Sequence, residues 1–172
     1  MQLVVAVDGA WGIGKSGALL AHVRADMKNF RALTAGKTVV LGSKTLSTFP
    51  GGNPLPKRRN IILSRRPGYA VPGAEVVHSV EELLSLLGDD AGDAVVIGGA
   101  SVYAALLPYC TEAFVTRFDK TFVSDAFFPD LDADAAWERV ETGEWLDADP
   151  ETDTPLDIRY RFETYRRKSG TQ

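Results

Sequence analysis

The chain has 172 residues, 45% of them hydrophobic, enough for one buried core and for a single domain spanning 1–172. A net charge of −4 argues against the clustered basic surface that nucleic-acid binding relies on, so no nucleic-acid partner is expected. The one cysteine, Cys110, excludes an internal disulfide and reads as a small apolar core residue in a reducing, cytoplasmic compartment.

The apolar run Leu3 to Val7 predicts a buried strand. Directly after it, Gly9, Gly14, Lys15 and Ser16 spell a phosphate loop, in which backbone N–H groups and a lysine are aimed at phosphates. On its own this spelling points to a nucleotide-triphosphate enzyme. Four fixed positions are a weak constraint in a chain with 16 glycines, however, and the motif also calls for a strand ending in a magnesium-binding Asp. The strand-like run Ala94 to Ile97 ends in Gly98 and Gly99, and Ala113 to Phe118 carries Arg117 ahead of Asp119.

Ala18 to Leu33 places Leu19, Leu20, Val23, Met27 and Phe30 at helical spacing, with its first turn open to being loop. Thr38 to Leu41, Asn60 to Ser64 and Glu75 to His78 read as strands. Ser79 to Glu82 is a capping box ahead of Leu83, Leu84, Leu86 and Leu87, which predicts a helix start. Ser101 to Leu107, with Pro108 beyond it, reads as another helix. Strands alternating with helices imply an α/β fold, with a central, mostly parallel β-sheet and helices on both faces.

The C-terminal third breaks that rhythm. Trp137 to Trp145 and Leu156 to Lys168 alternate with period two and predict an antiparallel edge hairpin, with Asp147 to Pro155 as a solvated acidic tip. No apolar run approaches the roughly 20 residues that span a bilayer, and the N-terminus lacks a secretion-signal pattern, so no membrane partner is expected.

Three stretches occur in a fixed order: Pro54 to Arg65 (PLPKRRNIILSR), Val96 to Tyr103 (VIGGASVY) with Leu107 and Pro108, and Phe127 to Pro129. Their succession closely resembles dihydrofolate reductase of the bacterial type, from about Leu3 to Arg167. The resemblance implies NADPH-dependent hydride transfer that turns 7,8-dihydrofolate into 5,6,7,8-tetrahydrofolate, for one-carbon and thymidylate metabolism. It further implies a monomer that antifolates target, with no metal.

Asp26 matches the carboxylate that binds the pterin amino and ring N–H groups and promotes protonation; its apolar neighbours Val23, Met27 and Phe30 would raise its pKa by desolvation. Thr116 matches the threonine that hydrogen-bonds this carboxylate. Arg58 matches the arginine that holds the glutamate tail, a task suited to a planar guanidinium. Phe30, Phe49 and Ile97 match positions that sandwich the pterin and aminobenzoyl rings, and Val4, Val5 and Met27 complete the substrate side.

For NADPH, Gly98 and Gly99 permit close backbone approach, and the resemblance implies a cis peptide between them. Ala100, Ser101, Val102 and Tyr103 open a helix whose N-terminus would meet the pyrophosphate. Ala6, Ile13 and Gly14 would border the nicotinamide. Gly42, Lys44, Thr45, Ser64 and Arg65 match the loops around the adenosine half and its 2′-phosphate, where two cations favour NADPH over NADH.

The chain departs from the family where Leu-Pro-Trp is usual and Leu19, Leu20 and Ala21 stand instead, with His22 next; Trp11 is not assumed to substitute. Ser43 replaces an arginine, and Ser124 a glycine beside Asp125, whose counterpart latches the closed first loop. The alternatives are a reductase of the same fold acting on another pterin-like or pyrimidine substrate, a phosphate-loop kinase using Gly9 to Ser16, and a catalytically silent, cofactor-binding relative.

Overall fold

Side chains along a strand alternate between faces, and in the computed structural model, which describes residues 1–169, that alternation divides the core. Strand β1 (Gln2–Val7) sends Leu3, Val5 and Val7 into one apolar cluster and Val4 and Ala6 into others. Strands β3 (Thr38–Gly42), β4 (Arg59–Leu63), β5 (Glu75–Val77), β6 (Ala94–Gly98) and β7 (Glu112–Phe118) join β1 in parallel, in the order β5-β4-β3-β6-β1-β7. Strand β11 (Arg159–Arg167) adds antiparallel to β7, and its outer edge takes both β9 (Trp137–Thr142) and β10 (Leu146–Asp147).

Helices cover both faces. Helices α1 (Arg24–Thr34) and α2 (Ser43–Ser47) bring Phe30, Leu33 and Leu46 against Val4, Val39, Leu41, Ile62, Val95 and Ile97. On the other face, α3 (Val80–Leu87) and α4 (Ala100–Leu106) pack Leu83, Leu87, Val102 and Leu106 on Val5, Val40, Ile61 and Val96. The α3 cap forms as its sequence predicts: the Ser79 hydroxyl accepts from Glu82 N at 3.0 Å. The returning Glu82 carboxylate accepts from His78 N, one residue earlier than a reciprocal box would have it. Cys110 is fully buried, and burial pushes its thiol up to about 11. Among the described residues no helix is long and apolar enough to cross a membrane.

Three expectations need correction, and three short elements go beyond them. The predicted helix from Ala18 begins only at Arg24, because Ala18 and Lys15 exchange backbone hydrogen bonds in a tight turn that leaves Leu19 59% exposed. The strand expected to reach Trp145 stops at Thr142, where the Gly143 N–H turns back to the carbonyl of Phe162. The acidic segment Asp147 to Pro155 is mostly exposed, as expected, but Asp153 is not part of a solvated tip: it is 3% exposed and hydrogen-bonded on both carboxylate oxygens. A second sheet, β2 (Gly12–Gly14) with β8 (Ala126–Phe127), and the five-residue α2 are too short for periodicity to reveal. The last three positions of the expected 1–172 domain lie outside the described residues.

Candidate active site

β1 and β7 lie side by side with Ala6 opposite Thr116, so both present their side chains on the face that α1 covers. Asp26 is the third residue of α1, and its Oδ1 accepts a hydrogen bond from the buried Thr116 hydroxyl at 2.6 Å. Burial drives the Asp26 pKa above its ordinary value, and the Thr116 bond, which favours the ionised form, offsets this only in part. Apolar side chains flank the pair. Val4 and Ile97 are buried, Phe30 and Phe49 pack half-buried against them, and Met27 is exposed on the flank of α1.

Val5 is a correction to the predicted substrate side. One step along β1 from Val4, it points through the sheet into the cluster with Val7 and Tyr103, so its side chain cannot face Asp26. The same parity settles the place of Trp11. Its ring stacks 6.0 Å from Phe128 and lies 4.3 Å under the Arg117 guanidinium, and Arg117 points away from its neighbour Thr116. Trp11 therefore does not stand in for the family tryptophan. Ala21 is buried with Val23, Phe118 and Tyr160, and His22 is exposed, joined through its backbone to Thr154.

Arg58 follows a turn held by Asn60, whose side chain accepts from Leu55 N and donates to the carbonyls of Leu55 and Arg58. The Arg58 Nε is buried and meets no acceptor among the described residues. Its neighbour Arg59 is different, paired with Glu75 across β4 and β5. Asn60 escaped the sequence reading as a functional residue; its one signal is a polar side chain at the head of an apolar strand.

β6 ends in Gly98, and the Gly98–Gly99 peptide is cis. A Cβ added to Gly99 would come 3.2 Å from the Thr45 hydroxyl, so the bare backbone closes up to α2. Gly42 serves a similar approach, since a Cβ there would sit 3.1 Å from Val102 Cγ2. Ala100 and Ser101 open α4 at the surface, while Val102 and Tyr103 are buried beneath, the Tyr103 hydroxyl donating to the Val4 carbonyl at 2.6 Å. Lys44 and Arg65 are exposed and enter no ion pair among the described residues; Ser64, buried at the end of β4, accepts from Arg66 N.

The first loop carries Ile13 half-buried and Gly14 in β2. Gly14 O accepts from Asp125 N at 3.0 Å, and Asp125 Oδ2 accepts from Ser16 N at 2.9 Å. A phosphate loop would run straight into a helix bearing its lysine and serine. Here Lys15 and Ser16 occupy an exposed turn after a strand, and the next helix starts at Arg24, so the kinase geometry is absent. The loop's base holds a further residue that the sequence reading missed, Asp8, which is fully buried. Its Oδ1 accepts from Ala10 N and Gly12 N, and its Oδ2 from Phe122 N at 2.8 Å. An acidic residue closing an otherwise apolar strand was its visible signal.

The family model of dihydrofolate reductase matches residues 1–167. Among similar proteins, the dihydrofolate reductase of Mycobacterium tuberculosis is 39% identical over 159 residues, 90% of this chain and 90% of the relative. The type A13 dihydrofolate reductase of Escherichia coli is 34% identical over 170 residues, 99% of this chain and 96% of the relative. Among solved structures, dihydrofolate reductase from Enterococcus faecalis complexed with NADP(H) and RAB-propyl superposes with a TM-score of 0.81 at 35% identity, covering 97% of this chain and 95% of that one.

Proposed function

As the chain belongs to the dihydrofolate reductase family, we propose a residue-by-residue assignment of that family's reaction to the face that carries Asp26. The protein is an NADPH-dependent oxidoreductase that reduces 7,8-dihydrofolate to 5,6,7,8-tetrahydrofolate. The observation that carries the assignment is the half-buried Asp26 carboxyl, held by Thr116 on the sheet face that also carries Val4, Phe30, Phe49 and Ile97.

Asp26 binds the pterin through its amino and ring N–H groups. Burial favours its protonated form, so it is the group placed to promote protonation of the ring nitrogen beside the carbon that receives hydride. Thr116 fixes the carboxyl group's orientation. Phe30, Phe49 and Ile97 sandwich the rings, with Val4 and Met27 at their edges, and exclude water. Arg58 takes the glutamate carboxylate; its unmet, buried Nε is the donor such a group requires.

The residues present also fit NADPH, which supplies the hydride. Gly98 and Gly99 lack the Cβ atoms that would fill the approach beside Thr45, and Lys44 and Arg65 have charge to spare for phosphate. Ala100 to Tyr103 offer the α4 backbone, Ser64 and Gly42 line the strand ends, and Ala6, Ile13 and Gly14 border the nicotinamide. The reading extends to a cytoplasmic monomer with no membrane partner and no nucleic-acid partner, the last supported by the net charge of −4.

The test is direct. Purified protein given dihydrofolate and NADPH should consume both together, with loss of absorbance at the NADPH band. No loss above background would defeat the assignment, and so would a wild-type rate in Asp26→Asn across pH.

A further inference from the structure

Helix α1 begins without a cap of its own: its N-cap residue is Val23, which has no side-chain acceptor to offer the first turn. The acceptor arrives from elsewhere in the chain. Asp153, 129 residues away, takes the Arg24 N–H on Oδ1 at 2.9 Å. Its Oδ2 takes the Asp149 N–H at 2.7 Å, and the Thr152 hydroxyl bonds Oδ1 at 3.0 Å. Next to it, His22 and Thr154 exchange backbone hydrogen bonds at 2.8 and 2.9 Å, which staples the segment to the approach of α1. Asp26 sits two residues beyond the capped Arg24, about 3 Å further along the helix axis.

We propose that Asp153 is a positioning residue for the reaction: it seats the first turn of α1, which carries Asp26, and places a fixed negative charge at the N-terminal end of that helix. Burial opposes ionisation of Asp153, but the bonds from Arg24 N, Asp149 N and Thr152 outweigh it and hold its pKa below the ordinary value, so at neutral pH it is an anion. Both carboxylates act on one reporter, Tyr160 on β11, whose proton they help to retain after burial, with Asp149 adding to them. Asp26 also acts on Tyr103 on α4, and the cations of its own helix, Arg24, Lys28 and Arg31, are exposed. A helix N-terminus ordinarily favours a carboxylate in its first turn. With the Asp153 anion occupying that end, Asp26 loses the advantage, which adds to the burial that already favours its protonated form.

The inference rests on Asp26 being the proton-promoting group, and the experiment separates the two ideas. The Asp26 carboxyl is titrated by 13C NMR in the wild type, in Asp153→Asn and in Asp153→Ser, whose hydroxyl can still cap a helix N–H. In parallel, the pH profile of single-turnover hydride transfer is recorded. Removing the charge should lower the Asp26 midpoint by about half a pH unit in both variants. The transfer rate should then be about threefold lower on the alkaline side. Folded variants with an unmoved Asp26 titration, whatever their melting temperature, would overturn the proposal by reducing Asp153 to scaffolding. A titration that moves while the rate profile stays put would uphold the coupling and count against the role given to Asp26.

Discussion

The Thr116 hydroxyl donates to Asp26 Oδ1 at 2.6 Å, joining β7 to α1 across 90 residues of chain. This bond stabilises the ionised carboxyl and so opposes the desolvation that dominates the Asp26 pKa. Thr116→Val keeps the shape and removes the donor. The expected outcome is an Asp26 midpoint raised by about one unit, with the fall of the pH-rate profile moved to higher pH by the same amount. The rate profile of hydride transfer measures it, and an unmoved or lowered midpoint would show that the hydroxyl does not act on the carboxyl.

Asp26 also leaves a signature in stability. Its folded pKa lies above the unfolded value of 3.8, so the folded state binds the proton more tightly. Stability from this group is complete below 3.8 and is lost as pH rises through the folded pKa. Asp26→Asn removes the ionisation and should melt higher than the wild type at neutral pH, with the gap closing as pH falls toward 4. The same variant should lose about 100-fold in turnover. Thermal melts across pH check the first claim, and a variant less stable than the wild type at pH 8 would contradict it.

How far these features were legible in the sequence depends on the scale of the signal. The strands of the parallel sheet are runs of Val, Ile and Leu long enough to declare themselves, and the Ser79 cap is a local rule that the structure obeys. Asp26, Thr116 and Arg58 were named from the resemblance, which counts positions from such runs; the structure joins the first two by a hydrogen bond. Val5 was misplaced because a resemblance counts positions while a strand assigns faces by parity. Lys15 and Ser16 spelled a phosphate loop, but a spelling says nothing of whether the backbone continues into a helix, and here Gly14 ends a strand. Asp8 and Asp153 were the hardest. Each ties in a distant segment through a backbone N–H, Phe122 for Asp8 and Arg24 for Asp153, and a backbone N–H carries no side-chain identity to read.

Arg58 should govern substrate affinity rather than chemistry. Its Nε is buried without an acceptor, so Arg58→Leu deletes an unmet donor and should leave the melting temperature unchanged or slightly raised. Loss of charge-assisted bonds to a carboxylate should raise KM for dihydrofolate about 10- to 100-fold with kcat nearly unchanged. Steady-state kinetics with a pterin substrate lacking the glutamate tail supplies the control, because wild type and variant should then agree. Equal KM values for dihydrofolate itself would move the tail site elsewhere.

Asp8 ties the first loop to the segment ahead of β8. Its carboxylate collects the N–H groups of Ala10 and Gly12 from the loop and of Phe122 from the other side, while Ser124 Oγ lies 3.5 Å from Oδ2. The fit is tight, since a Cβ on Gly12 would come 2.3 Å from Ser124 Oγ and 2.9 Å from Asp8 Oδ2. Asp8→Ala would take the acceptor from the buried Gly12 N–H, the half-buried Phe122 N–H and the exposed Ala10 N–H, and should cost about 2 kcal/mol of stability. Asp125→Ala removes one exposed acceptor, for Ser16 N, and should cost about 1 kcal/mol or less. Because Ile13 and Gly14 follow directly on the tied residues, Asp8→Ala should also raise KM for NADPH several-fold, and its amide exchange should quicken at Gly12 and Phe122 together. Denaturant melts, cofactor kinetics and hydrogen exchange read the three effects separately. Wild-type stability in Asp8→Ala would refute the tie, and exchange that quickened at Gly12 alone would show that the two segments are held independently.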